Sequence, residues 1–106
     1  MSQNKYKTKL KKEMAEALLQ VICRVLEYNI PADDDDKLLF ATLDEIRRKL
    51  DVKLLDYNQS YNLTFSPAQA FALRILSTSY VLDYTSYLGN KLLKISNEVH
   101  QQFSKI

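Results

Sequence analysis

Side-chain chemistry usually begins with a nucleophile beside a base, and this sequence offers one cysteine, Cys23, and one histidine, His100. Cys23 lies among Val21, Ile22 and Val25, where a thiol behaves as a small hydrophobe and not as a reactive thiolate. His100 falls in the polar stretch Glu98-Val99-His100-Gln101-Gln102, a helix end where an imidazolium favours the negative end of the dipole. With no convergence of groups of unlike role, the chain is expected to be non-enzymatic and to need no cofactor.

Asp33 to Asp36 form the densest set of metal-type ligands. A calcium loop begun at Asp33 would put Leu38 where the glycine turn belongs and Asp44 where a bidentate glutamate belongs. The run is therefore expected to cap a helix, where carboxylates accept orphan N–H groups, and no metal is expected. Phosphate loops, dinucleotide fingerprints, HExxH and paired-cysteine motifs are absent from the sequence.

Two sets of residues remain that are suited to binding. Tyr80, Tyr84 and Tyr87 are spaced to share a helical face, and Tyr57 and Tyr61 precede them in a loop. Tyrosine joins a large apolar body to a polar tip and is enriched at protein interfaces. These five mark a face for self-association, as a homodimer, or for another protein. The second set is Lys5, Lys7, Lys9, Lys11 and Lys12. On a helix they scatter around the axis, but a frayed segment 1–9 would be a basic arm able to touch phosphates, with Tyr6 to stack on a base. The first expectation is thus a helical interaction or assembly protein; the alternative is a small nucleic-acid-associated protein. A helix-turn-helix is not supported, because the connection at 57–65 is long and the following helix too apolar for a groove.

The elements that position these residues follow from composition and periodicity. The chain has 106 residues, one Gly and two Pro, a scarcity of turn formers that favours a few long helices in a single domain. The expected fold is all-α, a small four-helix bundle with helices at about 5–29, 35–56, 66–88 and 91–105. In the first, Leu10, Met14, Ala17, Val21, Val25 and Tyr28 recur at helical spacing, widened by Leu18, Ile22 and Leu26. In the second, Leu39, Leu43, Ile46, Leu50 and Leu54 form the stripe. Ser66-Pro67-Ala68-Gln69 reads as a capping box opening the third, an apolar and central helix with Ile75 among its core positions. Leu76, Tyr80, Tyr84, Leu88, Leu92, Ile95, Val99 and Phe103 hold one phase, so the last two helices also read as one long kinked helix. Gly89-Asn90 favours a break, with Gly89 ending one helix and Asn90 capping the next. No internal repeat is legible.

Charge is segmental. Residues 1–32 carry six basic and three acidic groups, 33–56 five and eight, and 57–106 four and two. The polar, lysine-rich start lacks the apolar core of a secretory signal, and the weakly charged stretch 57–90 is too often interrupted to span a membrane; a cytoplasmic protein is expected.

Overall fold

The computed structural model describes residues 5–80 and 86–104. In chain order it contains β1 (Tyr6–Lys11), α1 (Lys12–Tyr28), α2 (Asp34–Leu54), β2 (Ser60–Phe65), α3 (Pro67–Ser79) and α4 (Tyr87–Gln102). It is mostly helical, with a two-stranded sheet. The all-α expectation is corrected at two places: residues 6–11 are not the start of the first helix, and the loop expected at 57–65 contains a strand.

Both strands follow from a period of two. Tyr6, Thr8 and Leu10 alternate with lysines, and Tyr61, Leu63 and Phe65 alternate with Ser60, Asn62 and Thr64; Tyr6, Leu10, Tyr61, Leu63 and Phe65 are buried. Such alternation puts one set on the covered face and the other on the open one. The N–H of Lys12, just past β1, donates to the carbonyl of Gln59, just before β2, at 3.0 Å. The strands are therefore antiparallel. This register sets Leu10 opposite Tyr61 and Tyr6 opposite Phe65, and on the open face Lys9 opposite Asn62 and Lys11 opposite Ser60.

The same bond explains why α1 starts where no capping residue stands. Its N-cap is Lys11, whose side chain makes no cap bond, and the strand partner takes up one orphan N–H of the first turn, that of Lys12.

The chain divides into two compact units, Lys9–Asn62 and Met1–Thr8 with Leu63–Ile106. In the first, α1 packs on α2. The buried face of α1 is Ala15, Leu18, Ile22 and Val25. It is rotated from the expected stripe: Met14, Ala17 and Val21 are only partly covered, and Tyr28 is exposed. Moving Leu10 into a strand removes the residue that set the earlier phase. On α2, Leu43, Ile46 and Leu50 are buried as expected, and Leu39 and Leu54 are partly covered. The Asp33 side chain accepts from the Asp36 N–H, and Asp34, Asp35 and Asp36 occupy the first turn, so the aspartate run caps the helix. Further along, Arg47 bridges Asp44 at 2.8 Å and Asp51 at 3.1 Å, and Arg48 reaches Asp44 at 3.0 Å. The hydrogen bond from Arg47, with the nearby Arg charges, holds the Asp44 carboxyl below the usual carboxylate range.

In the second unit α3 packs on α4, and the Arg74 guanidinium joins them by donating to the Ser96 carbonyl at 2.9 Å. The capping box is present in full: Ser66 accepts from the Gln69 N–H and Gln69 accepts from the Ser66 N–H. Ser66→Ala is expected to cost about 1 kcal/mol, read as a lower denaturant midpoint; an unchanged midpoint would mean that the cap contributes nothing to α3. Contrary to expectation, α3 is not covered all round, since Phe71 and Ile75 are exposed. The helix ends at Ser79, and α4 begins at Tyr87, with the Ser86 hydroxyl accepting from the Gly89 N–H at 3.0 Å. The third and fourth helices are therefore separate. Gly89 lies buried inside the first turn of α4 and Asn90 is not its cap; the interruption comes earlier than the glycine.

The element order is βαα, twice. Tyr6, Thr8 and Leu10 stand ahead of α1 as Tyr61, Leu63 and Phe65 stand ahead of α3. This repeat rests on alternation and burial, not on residue identity, which is why the sequence alone hides it. Among the described residues, no helix is long and apolar enough to cross a membrane.

Candidate nucleic-acid interface

The strand changes what the lysines can do. Residues two apart on a strand share a face and stand ~6.7 Å apart, so Lys9 and Lys11 of β1 lie together on its open side; both are exposed, as is Lys7 in the other unit. On a helix they would have diverged. Among the described residues, no carboxylate stands within ion-pair distance of any of them.

Within the Lys9–Asn62 unit, an open groove of about 680 Å³ is lined by Lys9, Lys11, Lys12, Glu13, Tyr57, Gln59 and Ser60. It has three ammonium groups against one carboxylate. Lys12 is held in place: its ammonium bonds Glu16 at 2.6 Å and lies 5.6 Å from the centre of the Tyr57 ring. The Glu16 hydrogen bond raises the Lys12 pKa above its ordinary value, so this group stays charged across the physiological range. Lys9 and Lys11 are the two cations of the groove left free for a ligand.

The tyrosines expected to form one face differ in their surroundings. Tyr61 is only 4 % exposed. Its hydroxyl donates to the Asp56 carbonyl and accepts from the Asn58 N–H, which makes it a staple for the turn into β2. Tyr57 is 77 % exposed and lies on the groove. Tyr80 ends α3 and Tyr87 opens α4, while Tyr84 lies outside the described residues. Tyr6, expected to stack on a base, is buried; its hydroxyl donates to the Glu98 carboxylate. Burial first, then that hydrogen bond, pushes the phenol well above its usual range. Lys5, ahead of β1, is exposed, and its carbonyl accepts from Gln102.

Gln59, Ser60 and Asn62 were not singled out from sequence as binding residues; Asn58-Gln59-Ser60 and Asn62-Leu63-Thr64 read there only as glycosylation-acceptor triplets. The signal that would have found them is the alternation Tyr61-Leu63-Phe65, which makes their stretch a strand and Asn62 an open-face residue. Cys23 is partly covered on α1 and His100 is exposed in the last turn of α4. Among the described residues, no group of three or more His, Cys, Asp or Glu is placed to hold a metal ion.

These features define a mostly helical protein whose small β-ribbon carries cations on its open face. The chain matches no protein-family model, no curated protein and no solved structure.

Proposed function

We propose that this protein binds nucleic acid, with Lys9 and Lys11 on phosphates and Tyr57 and Gln59 at the edge of the contact. The observation that carries this reading is the single-face array of lysines without carboxylate partners, set beside a groove with an exposed aromatic ring. Lysines clustered on one face are the electrostatic footprint of phosphate binding. They also blunt edge-to-edge pairing of strands, but that role predicts aggregation on their removal, not a loss of affinity for polyanions.

Fluorescence anisotropy with a labelled 20-base-pair DNA across a salt series tests the reading. The wild type is expected to bind with a steep salt dependence. Lys9→Ala/Lys11→Ala is expected to flatten the slope of log K against log salt by about two, one per phosphate contact. No binding at low salt, or an unchanged slope in a folded double variant, sinks the proposal.

A second reading, self-association, is favoured by the exposure of Phe71 and Ile75, one turn apart on α3, with Tyr87 and Leu93 exposed on α4 of the same unit. Contiguous apolar patches larger than a few hundred Å² are uncommon on monomers. Sedimentation is expected to show a dimer in the high micromolar range that Phe71→Asp dissociates. A wild type that remains monomeric there removes this reading.

A further inference from the structure

Resting on the nucleic-acid reading, we propose that the ligand is double-helical DNA, entered through its major groove by the β-ribbon, with Lys9 and Lys11 of β1 on the phosphates of one groove wall and Asn62 and Ser60 of β2 meeting base edges. Within the Lys9–Asn62 unit the open face of the ribbon sets Lys9 against Asn62 and Lys11 against Ser60. Lys9, Lys11 and Asn62 are exposed, and Glu13 is the one carboxylate lining the groove that Lys9, Lys11 and Ser60 share.

Shape selects the groove. The roughly 12 Å major groove of B-DNA admits a two-stranded ribbon with its side chains, whereas the roughly 6 Å minor groove would first have to be opened by kinking the duplex. The deep, narrow major groove of duplex RNA excludes it. A single strand would need a series of aromatic platforms, whereas the groove offers one ring, Tyr57, with the Lys12 ammonium already over it.

Chemistry selects the contacts. The lysines hold phosphates, the asparagine amide matches adenine N6 and N7, and serine serves any base. The two strands differ in what they present, cations on β1 and a neutral amide and hydroxyl on β2, so the preferred site is not a palindrome. It contains an adenine, the base that the Asn62 amide matches.

The full chain is used to select duplexes from a pool with a randomised ten-base-pair core. The enriched duplex is then compared with three probes: the same duplex with 7-deazaguanine and 7-deazaadenine, its single strand, and its RNA counterpart. The deaza bases remove the N7 acceptors and leave phosphates and minor groove intact. Enrichment of a non-palindromic motif is expected, with affinity at least about fivefold weaker for each of the three probes, the low end of what one base-edge contact discriminates. Asn62→Ala is expected to weaken the enriched duplex similarly while leaving the salt slope unchanged, because it removes no phosphate contact. Salt-dependent binding with no enrichment, or with equal affinity for natural and deaza duplexes, overturns the major-groove proposal and leaves nucleic-acid binding standing. Absence of binding to every probe overturns both.

Discussion

Phe65→Ala is expected to remove about 3–5 kcal/mol of stability, the range for truncating a buried aromatic. Phe65 is fully buried, at 0 % exposure. It is the last residue of β2 and is followed at once by the Ser66 cap of α3. Its ring anchors the point where extended backbone turns into helix, so the cavity would sit where two elements are joined. Small domains hold only about 5–15 kcal/mol in total, so this one change takes a large share. Urea denaturation followed by circular dichroism should show a much lower midpoint with an unchanged slope, the sign of lost stability and not of a changed denatured state. A midpoint equal to the parent's would mean that residues 60–65 are the surface loop their composition first suggests, and the ribbon would fall with them.

What was legible in the sequence was whatever is decided locally. The cap at Asp33 and the box at Ser66 and Gln69 need only residues three apart, and both form as read. The stripe of α2 needs only its own periodicity. The ribbon was not legible in the same way, because β1 and β2 are separated by two helices and each strand is justified by the other. Seen alone, Tyr6 and Leu10 are four apart and suit a helix as well as a strand. Only pairing with Tyr61, Leu63 and Phe65 decides for the strand. The candidate site inherits this ambiguity. Lys9 and Lys11 were recognised by type, but their common face exists only in extended backbone, and Gln59 and Asn62 gain meaning only from the register. The end of α3 was missed for a different reason. A stripe that keeps phase from Leu76 to Phe103 carries no mark of the interruption after Ser79, and the lone glycine drew attention to the wrong residue.

Leu43→Ala and Ile75→Ala together test where burial lies. From sequence both read as core positions of equal weight. The structure separates them: Leu43 is 0 % exposed on α2, while Ile75 is 41 % exposed on α3. Leu43 contributes to the face of α2 that also carries Ile46 and Leu50, all fully buried, so its truncation leaves a cavity as well as lost transfer energy, about 2–5 kcal/mol. Ile75 already has water on part of its side chain, and water can fill the space left behind. Its truncation is expected to cost less than ~1.5 kcal/mol, a fraction of the ~1.5–3 kcal/mol for complete burial of such a side chain. Urea midpoints of the two variants, measured at a protein concentration where the wild type is monomeric, should therefore differ clearly, with Leu43→Ala the weaker. Equal losses would show that the α3 face bearing Phe71 and Ile75 is covered in solution. A larger loss at Ile75 would place the true core of its unit on that face and overturn the packing of α3 described above.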